Sequence, residues 1–168
     1  MSGSVILSGA RTPIGKLSGS LGSLKATDLA AITIVEALRR ANLSGEQVDY
    51  VLLGQVLQAG QGQAPARQAS VAAGIPMTVP SATINKVCLS GLNTIHLADL
   101  MIRAGEADII VAGGMESMTN APYLLPDGRK GFGYGDNAVL DAITVDGLTC
   151  ALEHLPMGGA TERYASMK

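Results

Sequence analysis

Short runs of β-branched residues alternate with longer segments of helical periodicity along this chain, and that alternation constrains its fold more than any other feature. The runs predict strands at residues 5–7, 48–53, 81–87 and 108–112. The segments between them predict helices from Thr27 or Asp28 to Arg40, from Pro65 to Gly74, and over residues 89–104. This βαβαβαβ order favours an α/β fold with a parallel sheet, right-handed crossovers and helices on the sheet faces.

The third predicted helix, residues 89–104, is apolar on nearly every side, since only Asn93, Asp99 and Arg103 are clearly polar. A helix of this kind is buried on several sides. One four-stranded layer cannot enclose it. The sequence therefore predicts a second layer, supplied either by more chain or by another subunit.

The character of the chain changes after residue 118. Proline and glycine residues interrupt any regular period between residues 122 and 135, and only residues 137–143 and 146–153 are predicted to be helical. We therefore expect two parts: an α/β half over residues 1–118 and part of an inserted loop domain over residues 119–168.

Charge and hydropathy argue against several kinds of partner. The formal net charge of −2 comes from 14 acidic and 12 basic residues that form no runs, so no basic surface is predicted for nucleic acid or an anionic membrane. The longest apolar stretch, residues 109–112, is far shorter than the ~20 residues of a membrane-spanning helix. Two widely separated cysteines and the lack of a secretory leader predict a reduced, cytoplasmic protein.

Cys88 stands between the third predicted strand and the third predicted helix. In open parallel sheets, ligands bind beyond the carboxyl ends of the strands. A cysteine there lies near unpaired backbone N–H groups and the positive end of the helix dipole, which favour its thiolate. Residue type alone favours another interpretation, a small buried side chain, because free cysteine is among the most buried residues.

The local sequence around Cys88 changes the balance between these interpretations. Residues 84–92 read INKVCLSGL, and they are followed by GEAD at residues 105–108 and VAGGMESM at residues 111–118. Together these stretches resemble the acyl-enzyme signature of the thiolase family. Further stretches agree with the same family in order and spacing: ARTPIGK at 10–16, GQAPARQA at 62–69 and NAP at 120–122. Several separated motifs in one order are much more specific than any single motif.

Thiolases exchange acyl groups between a cysteine and coenzyme A, and the biosynthetic members condense two acetyl-CoA molecules into acetoacetyl-CoA. The resemblance implies the layered thiolase fold, an acetyl-CoA or acyl-CoA thioester as substrate, and Cys88 as the acylated cysteine. It implies no cofactor and no metal. It also implies a role in fatty acid metabolism and a homo-oligomer, dimer or tetramer, with the glycine-rich segment 127–137 where the assembly loop of the family occurs.

Leu148 and Met157 match positions of the thiolase loop region that line the pantetheine and acyl pocket, although packing within a loop is an equally ordinary role for such residues. Two departures from the family pattern affect the pocket. Pro156 precedes Met157 where many biosynthetic thiolases have histidine, and Leu89 replaces a glycine that often follows the acylated cysteine. The preferred acyl chain therefore stays open.

The resemblance further implies a histidine that activates the nucleophile and a second cysteine that acts as base, in motifs near the carboxyl end of thiolases. Neither motif occurs in these 168 residues. His96 follows Cys88 along the predicted helix at a distance of about 12 Å, given a rise of about 1.5 Å per residue, and is not expected to contact the sulfur. Cys150 and His154 share a helical spacing, but two such groups are too few for a zinc site.

Three hypotheses about function stay open. The first is an acetyl-CoA acetyltransferase that is incomplete as this chain alone, either a fragment or one part of a split enzyme. The second is a truncated, non-catalytic thiolase or an oligomerisation module that associates through exposed sheet edges and the apolar helix. The third is a condensing enzyme of the related ketoacyl synthase type, which uses different motifs around its cysteine.

Overall fold

The computed structural model describes residues 3–167. The chain forms two compact units, with the division between Asn120 and Ala121. The first unit contains three parallel strands and three α-helices, and the second contains a two-stranded hairpin and one further α-helix. Each unit is described separately.

The sheet of the first unit has the strand order β2-β1-β3, where β1 is Tyr50–Gly54, β2 is Ser81–Ile84 and β3 is Ile110–Gly114. Both pairings are parallel, and Leu52 of β1 lies between Ala82 of β2 and Ala112 of β3. All of β1 except Tyr50 is buried, as the continuous apolar run of a central parallel strand requires. The predicted α/β class is confirmed.

The prediction of a first strand at residues 5–7 is wrong. Val5 and Ile6 are 76% and 81% exposed, and residues 5–7 belong to no strand. Residues 8 and 9, which follow, are bound instead to the helix Ala26–Ala41. The Ser8 hydroxyl donates to the Ala37 carbonyl at 2.6 Å, and the Arg40 guanidinium donates to the Gly9 carbonyl at 2.7 Å. A β-branched run forms a strand only where a sheet edge pairs with it, so its composition was not sufficient.

The first helix, α1, spans Ala26–Ala41, and α2 spans Pro65–Ala72. The backbone N–H of Lys25 donates to the Asp28 carboxylate at 2.9 Å, which satisfies one of the free groups at the start of α1. Helix α1 ends at Asn42 in the left-handed conformation. The two helices pack against each other, and both contribute to the core.

The third helix, α3, spans Ser90–Ala104 and packs on β1 and β3. Its covered face consists of Ser90, Thr94 and Ala98. Within residues 3–167 the helix is covered on this side only: Leu92 is 64% exposed, and other apolar side chains of the helix are exposed with it, so burial by a second layer stays a prediction. No second layer covers this face in the described part of the chain.

The second unit begins with the antiparallel pair β4 (Tyr123–Leu124) and β5 (Leu140–Asp141). A π-helix follows at Ile143–Leu148, and α4 spans Met157–Ala165. The helices predicted at residues 137–143 and 146–153 are wrong in most of their length, since the helix Ile143–Leu148 overlaps only the end of the first segment and the start of the second. The Asp141 carboxylate accepts the N–H of Ile143 at 2.9 Å and starts the helical turn there, while Thr149 and Pro156 form a β-bridge beyond it.

Short 3₁₀-helices complete the chain at Gly45–Gln47, Met118–Asn120 and Gly128–Lys130. The core of the first unit is formed by aliphatic side chains and one methionine, as the scarcity of aromatic residues in the sequence requires: Ala26, Ala30, Ile34, Leu38, Val48, Val51, Leu53, Ala66, Ala69, Ile75, Val79 and Met115. Across residues 3–167, none of the helices is both long enough and apolar enough to cross a membrane.

Candidate active site

Cys88 lies in the connection between β2 and α3, beyond the carboxyl end of the sheet. Residues 85–89 of this connection are exposed, and Cys88 is a free, exposed thiol. Sheet and helix meet here so closely that the connection is a tight turn, with the N–H of Leu89 donating to the Lys86 carbonyl at 3.1 Å. The alternative of a buried structural cysteine is therefore wrong.

The residue before the cysteine has an unusual backbone. Val87 has φ of 49°, in the left-handed region that a β-branched residue rarely adopts. Such conformations persist only where the surrounding structure enforces them, and they concentrate at functional sites. The turn therefore needs fixed hydrogen-bond partners.

Two polar side chains supply those partners. The Asn85 side-chain oxygen accepts the N–H of Val87 at 3.0 Å. The Ser90 hydroxyl donates to the Val87 carbonyl at 2.6 Å and accepts the N–H of Lys86 at 2.8 Å. Both polar groups of the Val87 backbone are thus held, one from each side of the turn.

Glycines let the start of α3 lie directly on the sheet. A Cβ atom added to Gly54, at the end of β1, would lie 2.5 Å from the Ser90 carbonyl carbon and 2.6 Å from the Gly91 nitrogen. A Cβ atom added to Gly114, at the end of β3, would lie 3.2 Å from the Gly91 Cα. Only a residue without a side chain fits at Gly54, so the height of the turn above the sheet is set by backbone contacts.

Thr94 fixes the helix one turn further along. Its hydroxyl is fully buried and lies 2.7 Å from the Gly91 carbonyl oxygen and 2.9 Å from the Gly113 carbonyl oxygen. The second of these contacts ties α3 to β3. The helix that follows Cys88 is therefore held to the sheet by a hydrogen bond as well as by packing.

Glu116 follows β3 and holds the segment that follows β1. Its carboxylate accepts the N–H of Val56 at 2.9 Å and the N–H of Leu57 at 3.3 Å. The side chain is half-buried, and burial raises the pKa of Glu116 above its ordinary value although both hydrogen bonds act in the opposite direction. Asn85 reaches the same segment, since its amide nitrogen lies 3.4 Å from the Val56 carbonyl oxygen.

Sequence reasoning assigned no role to Asn85 or Glu116. Both lie within the signature. Asn85 falls inside the strand predicted at residues 81–87 but directly follows the observed β2, and Glu116 lies two residues after β3. Polar residues beyond the carboxyl ends of parallel strands were the available signal. Their partners are backbone groups, which no residue pattern reveals.

Leu148 and Met157 both lie in the second unit. Leu148 is the last residue of the π-helix, and Met157 is the first residue of α4. The chain between them folds back on itself. Thr149 and Pro156 form a β-bridge, and the Cys150 N–H donates to the Leu155 carbonyl at 2.8 Å. The bridge thus brings the backbones of Leu148 and Met157 together, while their side chains are 46% and 47% exposed. Their role in substrate binding stays a prediction.

The remaining candidate groups are dispersed. His96 is exposed on α3, and His154 is exposed in the turn between Thr149 and Pro156. Within residues 3–167, no group of three or more histidine, cysteine or acidic side chains is arranged to hold a metal ion. A cavity of about 870 Å³ in the first unit lies beside β3, α1 and residues 4–17, and Cys88 does not line it.

Comparison with known proteins agrees with this geometry. The family model for the thiolase N-terminal domain matches residues 4–168. A probable acetyl-CoA acetyltransferase of Mycobacterium leprae is 59% identical over 163 residues, which are 97% of this chain and 42% of the relative. The acetyl-CoA acetyltransferase of Cupriavidus necator is 50% identical over 96% of this chain and 41% of its own length.

A solved structure shows the same fold. The crystal structure of the Acat5 thiolase from Ascaris suum in complex with coenzyme A superposes with a TM-score of 0.92 at 40% identity, covering 96% of this chain and 42% of that one. The chain belongs to the thiolase family. It spans about two fifths of the length of these relatives, and the predicted resemblance and thiolase-like fold are confirmed.

Proposed function

We propose that this chain carries the acyl-accepting cysteine of an acetyl-CoA acetyltransferase. The observation that supports this most directly is the exposed Cys88 thiol on a strained turn between β2 and α3. The names of the similar proteins agree with it, since they are acetyl-CoA acetyltransferases and a thiolase crystallised with coenzyme A.

In the proposed reaction the Cys88 thiolate attacks the carbonyl carbon of an acyl-CoA thioester. A bond forms between that carbon and Sγ of Cys88, the bond to the coenzyme A sulfur breaks, and coenzyme A leaves as a thiolate that takes up a proton. In the synthetic direction, a second acetyl-CoA loses an α-proton to a base, and its α-carbon attacks the Cys88 thioester. Acetoacetyl-CoA forms and the Cys88 thiolate is released, so ping-pong kinetics are expected.

The chain itself contributes the nucleophile and its setting. The tight turn presents the sulfur to solvent, and the backbone N–H of Cys88 beside the start of α3 is the proposed donor to the oxyanion of the tetrahedral intermediate. The histidine that activates the sulfur and the cysteine that acts as base are expected from motifs that these 168 residues do not contain.

Several further properties belong to the same proposal. Leu148 and Met157 are proposed as an apolar wall of the acyl and pantetheine pocket. The substrates are acetyl-CoA or acyl-CoA, with no additional cofactor and no metal. The assembled enzyme is proposed to be a cytoplasmic homo-oligomer that acts in fatty acid metabolism.

Acetylation of the chain by acetyl-CoA tests the nucleophile. After incubation with labelled acetyl-CoA, digestion and mass spectrometry, label is expected on the peptide that contains Cys88 and not on the one that contains Cys150, the other free cysteine. The Cys88→Ser variant is the control and should take up no label. Label that is absent from the wild type both alone and after addition of the carboxyl-terminal part of a related thiolase, or that survives in Cys88→Ser, would refute the proposed role.

A second candidate is supported by the exposed apolar face of α3. A non-catalytic thiolase chain that serves as an oligomerisation module would use this face, where Leu92, Ile95 and Leu100 are exposed. Sedimentation would then show concentration-dependent self-association that Leu92→Gln weakens, with no acetylation of Cys88. Acetylation of Cys88 would exclude a purely non-catalytic role.

A further inference from the structure

Three hydrogen bonds in series connect Glu116 with the turn that carries Cys88. The Glu116 carboxylate accepts the N–H of Val56 at 2.9 Å. The carbonyl of the same Val56 accepts the Asn85 amide at 3.4 Å, and the Asn85 side-chain oxygen accepts the N–H of Val87 at 3.0 Å. The series passes from the end of β3 through the segment after β1 to the residue before the cysteine.

Each member of the series fixes a different degree of freedom. Glu116 binds two successive N–H groups, those of Val56 and Leu57, and so fixes the orientation of the peptide between them. That orientation aims the Val56 carbonyl at Asn85. The amide of Asn85 can then rotate no further, because its nitrogen and its oxygen are both engaged.

The end of the series is the strained residue. Val87 has φ of 49°, a conformation that its own side chain disfavours and that external contacts must hold. The Ser90 hydroxyl holds its carbonyl, but its N–H depends on Asn85 alone among the described residues. Loss of the Asn85 contact frees Val87 to return to an ordinary backbone conformation, which turns the next residue, Cys88.

We propose that Glu116 and Asn85 are positioning residues that fix the direction of the Cys88 thiol through the backbone of Val87. The proposal rests on acyl transfer to Cys88 as the function of the turn. It concerns neither substrate contact nor proton transfer by Glu116. A carboxylate suits the task because it only accepts hydrogen bonds, so it satisfies two adjacent N–H donors without presenting a donor to either.

The first readout is the backbone itself. In Glu116→Ala the amide exchange rate of Val87, measured by NMR, should rise about fivefold, the loss expected for one weakened hydrogen bond. Glu116→Gln retains one acceptor oxygen and should give a smaller rise, so the conservative variant partly rescues the turn. Asn85→Ala should also raise the amide exchange rate of Val87. Asn85 is exposed, so truncation of its side chain does not threaten folding.

A matched control lies at the other end of the sheet. The Asp49 carboxylate also accepts two successive N–H groups, those of Asp108 and Ile109, but it has no connection to the turn. Asp49→Ala should raise the exchange rates of residues 108 and 109 and leave that of Val87 unchanged. Circular dichroism spectra must show the same helix content in every variant.

The second readout is chemical. Each variant is treated with iodoacetamide and, separately, with acetyl-CoA, and labelling of Cys88 is compared with that of Cys150 in the same chain. Alkylation needs only an exposed thiol, whereas acyl transfer needs a defined approach. Glu116→Ala and Asn85→Ala should therefore lower the rate of Cys88 acetylation about fivefold or more relative to its alkylation. The double variant, Glu116→Ala with Asn85→Ala, should lose no more of the Cys88 acetylation rate than the more affected single variant, because both residues act through one series of hydrogen bonds.

The outcomes separate the two proposals. If the wild type is not acetylated at all, the proposed function fails, while the exchange rate of Val87 still tests the series. If the exchange rate of Val87 is unchanged in both Glu116→Ala and Asn85→Ala, the positioning proposal is overturned whatever the acetylation result. Additive losses in the double variant would likewise overturn it, because they would show two independent effects.

Discussion

Two carboxylates hold backbone N–H groups at opposite ends of the same sheet, and they differ in how the protein surrounds them. Asp49 lies before β1, is exposed, and accepts two N–H groups just before β3 at 2.9 and 2.8 Å. These bonds hold the pKa of Asp49 below its ordinary value. Glu116 lies beyond β3 and makes an equivalent pair of bonds at 2.9 and 3.3 Å, yet burial raises its pKa.

Each carboxylate accepts two backbone hydrogen bonds, so the difference in burial, and not the number of bonds, decides the direction in which its pKa shifts. An exposed acid keeps most of its hydration, so each backbone bond favours its ionised form. A half-buried acid loses hydration that the bonds do not fully replace. The folded protein therefore favours the ionised form of Asp49 at the amino end of the sheet, whereas burial of Glu116 opposes ionisation at the end where Cys88 is presented.

The largest expected effect concerns the packing at the carboxyl end. In Gly54→Ala the new methyl group would lie 2.5 Å from the Ser90 backbone, so α3 must move away from β1. We expect a loss of about 3 kcal/mol in the free energy of unfolding, measured by urea denaturation.

Gly113→Ala is the matched control for that prediction. Gly113 lies in β3, and an added Cβ atom there would approach Leu53 at an ordinary 3.8 Å. The control should lose less than about 1 kcal/mol. Equal losses in the two variants would show that backbone contact at Gly54 does not set the spacing of helix and sheet.

The next effect concerns the amino end. Asp49→Asn should lower the free energy of unfolding at neutral pH by about 1 kcal/mol, a value reduced from that of a buried charged hydrogen bond because the group is exposed. The pKa of Asp49 is lower in the folded state than its ordinary 3.8, so its contribution is present above that value and is lost as pH falls through the lower, folded pKa. Thermal midpoints of wild type and variant should therefore converge in strong acid.

The smallest effect concerns Glu116 and has the opposite sign with pH. Its folded pKa is raised above the ordinary 4.5, so between the two values the folded state binds the proton more tightly than the unfolded chain does. Wild-type stability should fall slightly as pH rises through this window, and Glu116→Gln should not show that fall. Thermal midpoints measured across the window give the two slopes, and slopes of the same sign for Asp49 and Glu116 would contradict the comparison.

Much of the first unit follows from local sequence. The helix predicted from Thr27 or Asp28 to Arg40 is α1, Ala26–Ala41, and the one predicted at residues 89–104 is α3, Ser90–Ala104. In both, the apolar spacing and the end signals agree. The strand predicted at residues 5–7 does not form, because a strand needs a neighbouring strand to pair with and the local sequence does not specify one.

The candidate site was predictable in one part only. Cys88 stood out because a sequence motif and a strand-to-helix junction coincide there. Asn85 and Glu116 were not predicted because both bind the backbone of the segment after β1, which is distant from them in the sequence and is brought near by the parallel pairing of three strands. In the second unit, the Asp141 side chain starts a helical turn at Ile143 and the β-bridge from Thr149 to Pro156 follows it, so neither predicted helix has the bounds that its weak periodicity indicated.

The close approach of Gly54 to Ser90 and of Gly114 to Gly91 has a consequence for how this turn can vary among related chains. Main-chain atoms have the same size in every protein. The distance between α3 and the sheet, which main-chain contacts set, is therefore not changed by exchanging side chains elsewhere in the turn. Substitutions in residues 85–89 and the loops beyond can reshape what surrounds the sulfur, whereas the spacing of α3 and the sheet changes only when a glycine at these contacts is replaced. As long as these glycines are kept, variation in the surroundings of the Cys88 sulfur therefore comes from the side chains of the turn and not from its distance to the sheet.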